Sequence, residues 1–132
     1  MKRYEDIIAW QRAHALVLKV YEVTKKYPLD ERYGLTSQLR RAAASVATNI
    51  VEGRAKDSAA DYARFLNMAE GSLAETDYLL RLSMDIGYLE RDEIDTFRTQ
   101  IDDTARVLHG LKQSARTSAH ESHPADLRVG KR

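Results

Sequence analysis

The chain contains no cysteine among its 132 residues. That excludes disulfides, thiolate nucleophiles and cysteine-ligated zinc, and it fits a reducing, cytoplasmic location. Proline occurs only at Pro28 and Pro124, so nothing between them interrupts long helices. No apolar run approaches the ~20 residues that cross a bilayer. The opening MKRYEDIIAW has neither an apolar leader core nor a small-residue cleavage site. These absences predict a protein with no membrane partner. Nucleotide-binding GxGxxG and GxxxxGK[ST] runs are missing, as is the zinc-protease HExxH. The Glu-x-x-His pairs that hold two metals inside helical bundles are missing too. His14 and His109 have no carboxylate three residues upstream, and His120 and His123 flank Glu121 in a polar segment read as solvated. No metal, cofactor, small-molecule substrate or catalytic residue is therefore expected, and the chain reads as a non-enzyme.

What is present is helical periodicity. Hydrophobic residues at 43% and charged residues at 31% suit one globular domain with its own core. Apolar positions recur every three or four residues rather than every second one, which predicts helices over about 5–26, 35–54, 59–86 and 91–116. The first stripe reads Trp10, Ala13, Val17, Val20 and Thr24, widened by Leu16 and Tyr21, and Pro28 stops it. The second reads Leu39, Ala42, Val46, Asn49/Ile50 and Gly53, with Gly53 read as a C-terminal stop and 30–34 as a preliminary turn. Ser58 is the expected N-cap of the third helix, with Asp61 three residues on. Gly71 lies in that helix's middle, where glycine costs about 1 kcal/mol against alanine, so a close helix approach is expected there. The fourth stripe reads Ile94, Phe97, Ile101, Thr104, Leu108, Leu111 and Ala115. Long helices with short connections predict an all-α, antiparallel up-down-up-down four-helix bundle over 1–116 and a flexible tail over 117–132. Trp10, Tyr21, Tyr62, Phe65 and Phe97 read as core rather than base-stacking platforms.

Charge is segregated along the chain. Residues 1–56 hold 11 Lys/Arg against 6 Asp/Glu, a net +5, whereas 57–117 hold 7 against 12, a net −5. Three readings fit: attraction between halves of one chain, a basic nucleic-acid face, or a head-to-tail subunit contact. Lys25, Lys26 and Arg32 fall near one end of the first hairpin, and Arg54 and Lys56 near the other. Arg40 and Arg41 fit an ordinary surface pair, an intersubunit pair with an acid such as Glu75, or a phosphate contact. Together these seven cations form the candidate nucleic-acid set.

The run from Ala42 to Val51 (AAASVATNIV) carries no charge. A bundle helix normally wets one face with charged residues, so the outer side of this one is expected to be covered, by a second copy of the chain. Arg40, Arg41, Ala44, Ala47, Thr48, Val51, Gly71 and Glu75 are the candidate subunit contacts. Glu52, close to a helix C-terminus and its unfavourable dipole, is expected to have a cationic partner.

The run Glu31-x-Tyr33-Gly34-Leu35-Thr36-Ser37-Gln38-Leu39-Arg40-Arg41-Ala42-Ala43, followed by Ser45 and Asn49-Ile50-Val51-Glu52-Gly53, resembles the 23S rRNA intervening-sequence protein family. The resemblance extends upstream through Trp10, Ala13, Leu16, Tyr21, Thr24 and Pro28. Downstream it takes in Phe65-Leu66, Ala69, Gly71-Ser72, Glu75 and Gly87-Tyr88, so it covers about 4–115. Val51 stands where that family usually has alanine. The resemblance implies a four-helix bundle assembled as a homopentamer, with no established enzyme activity. It also implies similarity in fold to the accessory protein of diversity-generating retroelements, a basic pentameric barrel that binds nucleic acid and a reverse transcriptase. The function expected is thus a ring-forming assembly or adaptor module, with RNA or a nucleic-acid-bound protein as partner. The alternative is a nucleic-acid-binding protein working through the basic residues of its first two helices.

Overall fold

The computed structural model describes residues 3–121. Four helices account for nearly all of them: α1 (Ile8–Thr24), α2 (Leu35–Arg54), α3 (Ala59–Asp85) and α4 (Arg91–Glu121). Each helix packs on its two neighbours, and α1 closes the square against α4. Cross-helix pairs set the antiparallel directions. Arg12 of α1 meets Asp103 of α4, Lys26 just past the end of α1 meets Glu93 near the start of α4, and Arg98 of α4 meets Asp77 of α3. Ser72 donates to Ser45 at 2.9 Å between α3 and α2.

The ends follow local chemistry. Ser58 caps α3 by accepting the Asp61 amide at 3.1 Å. At the other end the Tyr88 amide reaches back to the Ser83 carbonyl and the Gly87 amide to Met84, with Gly87 at φ 91°. That is a Schellman close, and the left-handed residue it requires is a glycine. α1 starts later than periodicity suggests. A 3-10 turn over Tyr4–Asp6 and an extended Ile7 precede it, and the Gln11 side chain donates to the Glu5 carbonyl to hold the turn in place. α4 ends later, running five residues past the expected Arg116. Its inward stripe continues through Lys112, Ala115 and the half-buried Ala119, beside Ala60 and Ala63 of α3. The rest of the expected tail, 122–132, lies outside the described residues.

The core is mostly aliphatic, with the rings of Phe97 and Tyr27 buried in it. Phe97, Leu16, Leu39, Ile50, Leu66, Leu80, Ile94 and Leu108 are fully buried. Leu16, not Val17, takes the inward position on α1. Of the five aromatics assigned to the core only Phe97 is enclosed. Trp10, Tyr62 and Phe65 are half-buried, and Tyr21 is exposed, its ring 4.7 Å from the Arg40 guanidinium. Trp10 instead stacks on His14 at 4.7 Å. Lys112, not Leu111, occupies the inward position between Leu108 and Ala115, where Glu70 and Asn67 satisfy its ammonium. Gly53 lies inside α2 rather than ending it. A Cβ there would stand 2.8 Å from Phe65 Cβ, so Gly53 is the close approach between α2 and α3. Gly71 has open space around it and makes no such approach within the chain.

Candidate functional site

The corner where α1 turns into α2 is built by Glu31. One of its carboxylate oxygens accepts the Leu35 amide at 3.1 Å, capping α2, and the other accepts the Tyr88 hydroxyl at 2.8 Å from the α3–α4 loop. A Cβ on Gly34 would come within 2.8 Å of the capping oxygen, so the glycine leaves room for the cap. Glu31 thereby ties the turn over Leu29–Glu31 to the start of α2 and to the α3–α4 loop. The two hydrogen bonds, the Leu35 amide foremost, hold the Glu31 carboxyl below its ordinary value of 4.5. A depressed carboxylate stabilises the fold above the unfolded pKa and loses that contribution as pH falls through the folded one. Glu31→Gln should therefore lower the melting temperature by a few degrees at neutral pH, with the gap closing below about pH 4.5. Thermal melts across pH check this, and a gap that persists in acid would assign the effect to shape rather than charge.

This corner encloses a cavity of about 400 Å³ lined by Lys25, Arg32, Arg40 and Arg41, with Tyr21, Leu29 and the hydroxyls of Thr36 and Ser37. None of its lining residues is acidic. Arg40 is fixed in place: its Nε donates to Thr24 Oγ1 at 2.8 Å while its guanidinium lies over Tyr21. Lys25 has a loose contact to Glu22 at 3.4 Å on the solvent side. Arg32 leans on Tyr33, 6.0 Å from the ring centre. Arg41 is exposed and has no ion partner among the described residues. Four of the seven candidate nucleic-acid cations thus share one concavity. The other three do not. Lys26 pairs with Glu93 of α4, Lys56 lies over Phe65, and Arg54 lines a separate groove with Tyr62 and Arg106 at the far end of the bundle.

The expected subunit contacts divide as well. Ala47 is buried within the chain, with 8% of its surface exposed. Ala44 and Val51 are half-exposed, and Thr48, Gly71 and Glu75 are exposed. Much of the uncharged run is therefore covered by the chain's own helices, and its open part is narrower than the sequence suggests. Glu52 is exposed and makes no ion pair among the described residues. No group of three or more His, Asp or Glu side chains in the described region is arranged to hold a metal ion. No described helix is long and apolar enough to cross a membrane.

The family model of the 23S rRNA-intervening sequence protein matches residues 5–110. The chain belongs to that family. The match takes in the capped corner, its cavity and the open face of α2. Among solved structures, a protein of unknown function from the S23 ribosomal protein family of Bacteroides thetaiotaomicron has a similar fold. It superposes with a TM-score of 0.74 at 19% identity, covering 83% of this chain and 98% of its own. At that identity the likeness speaks for the all-helical fold alone. No curated protein sequence matches the chain. Within this chain, the Glu31–Gly34–Leu35 part of the motif is explained by the cap and Gly53 by helix packing. Arg40 satisfies the buried Thr24 hydroxyl, whereas Arg41 has no comparable duty in the core.

Proposed function

We propose that this protein is a non-enzymatic scaffold that assembles with copies of itself into a ring and carries RNA or a ribonucleoprotein partner. The observation that supports assembly is the open seam between α2 and α3. Arg41 and Thr48 lie four before and three after Ser45, so they share its face of α2. Met68 and Glu75 stand in the same relation to Ser72 on α3. The Ser45–Ser72 bond thus marks a seam flanked by Arg41, Thr48, Met68 and Glu75, with Ala44 and Gly71 alongside. It is small, largely uncharged and open, the kind of surface that a second copy covers. A heterologous contact of this kind closes into a ring when the rotation permits.

Light scattering tests this reading. A particle near five times 15.0 kDa is expected for the wild type, and Thr48→Glu, which adds a charge to the exposed seam, should shift it to monomer with helix content retained. A wild-type particle of 15.0 kDa would refute assembly. An intact Thr48→Glu ring would refute this seam as the contact.

The four-cation cavity favours a second activity on the same scaffold, contact with nucleic-acid phosphates. Affinity carried by phosphates falls steeply as salt rises. Binding to RNA that is indifferent to salt between about 50 and 200 mM would refute it.

A further inference from the structure

We infer that the cavity at the α1–α2 corner takes one unpaired nucleotide of a single-stranded nucleic acid, its phosphate among the cations and its base on the exposed side chains at the rim. The inference rests on the phosphate-contact reading and adds the kind of nucleic acid. Two observations carry it. No acid lines the cavity: Lys25, whose one acidic contact is the exposed Glu22 at 3.4 Å, Arg32 and Arg41 border it beside Arg40, which Thr24 and Tyr21 immobilise. A pre-positioned guanidinium binds phosphate without first losing side-chain freedom. Next to these charges stand the two most exposed large apolar side chains of the described region, Tyr33 at 87% and Leu29 at 81%. Arg32 links the two features, since it lines the cavity and leans on the Tyr33 ring.

Basic groups interleaved with exposed rings suit single strands, whose bases are free to stack on protein side chains. A duplex keeps its bases inside and offers only phosphates to such a corner, so Tyr33 and Leu29 would contribute nothing to it. The cavity, at about 400 Å³, suits a nucleotide-sized group and is far too small for a double helix. Glu31 holds the turn bearing Leu29 and Arg32 against α2, so the site is largely formed before ligand arrives.

Fluorescence anisotropy of the full chain tests this with a labelled oligouridine and a duplex of the same length. The single strand should bind about tenfold more tightly than the duplex. Tyr33→Ser, at a residue exposed enough to leave folding intact, should weaken single-strand binding about tenfold without changing its salt slope. Arg41→Gln should weaken binding to both probes and lower the salt slope by about 1. Equal or tighter binding of the duplex, or indifference to Tyr33→Ser, would overturn the single-strand inference and leave phosphate contact standing. Indifference to Arg41→Gln and to an added Arg32→Gln would place binding away from this cavity and overturn it as well. No binding of either probe would overturn both readings.

Discussion

Gly53→Val should cost the bundle about 3 kcal/mol of stability, the upper part of the range for overpacking a filled site. The first atom added, Cβ, already stands 2.8 Å from Phe65 Cβ and 3.0 Å from Tyr62 Cδ1. Phe65 Cβ cannot rotate away, because it is bonded directly to the α3 backbone. The two helices must separate, or α3 must shift along α2. Either movement loosens the contacts of Ile50 and Leu66, which are fully buried. Glycine costs a helix interior about 1 kcal/mol relative to alanine, so relief of that cost offsets part of the clash for Gly53→Ala. Valine adds two further methyls and has poorer helix propensity than alanine, so the clash dominates. Gly110→Ala is the matching control. Its Cβ meets nothing within 4 Å, so it should gain about 1 kcal/mol. Urea unfolding followed by circular dichroism compares the three proteins at one concentration. Equal midpoints for Gly53→Val and wild type would show that the close approach does not constrain the fold.

The two glycines also show where sequence reading reaches its limit. Gly53 and Gly71 are both helical glycines in apolar surroundings, and pattern alone assigned the close approach to Gly71. Which glycine faces a neighbour depends on how α3 is rotated about its axis, a quantity set by tertiary packing. The cap of α3 was legible because its signal is local: Ser58 stands three residues before Asp61. The end of α4 was not, since Thr117 to Glu121 are polar apart from Ala119, and that one residue extends the stripe that packs on α3. The assignment of Tyr21 to the core failed in a similar way. Tyr21 fits the helical stripe, but a hydroxyl-bearing ring gains from a rim position where Arg40 lies over its face. The four-cation corner was half legible. Lys25 and Arg32 are neighbours by sequence, whereas Arg40 and Arg41 join them only because the turn after Pro28 folds α2 back along α1.

Lys112 was the residue least visible in the sequence, and removing its partner has the second large expected effect. Glu70→Ala should cost about 3 kcal/mol, the lower bound for stranding one member of a buried ion pair. The lysine is only 6% exposed, its ammonium held by Glu70 and, at 3.4 Å, by Asn67 Oδ1. Without the carboxylate, the neutral amide of Asn67 alone faces a nearly dry positive charge. The flexible lysine stem lets the ammonium reach toward solvent, which keeps the cost at the low end. Burial by itself would raise the Glu70 carboxyl. Hydrogen bonds from Lys112 and His109 outweigh it, and the carboxyl sits below its ordinary 4.5. The stabilisation is therefore complete above about pH 4.5 and lost as pH falls through the lower folded value, so wild type and Glu70→Ala should converge in acid. Replacing both partners, Glu70→Leu with Lys112→Leu, removes the charges together and should recover most of the loss, because a buried pair is often no better than an apolar one of similar size. Denaturant midpoints of the single and double variants at neutral pH decide it. A double variant no more stable than Glu70→Ala would mean that the cost lies in lost packing, and that Lys112 is held at this inward position by its methylenes rather than by its charge.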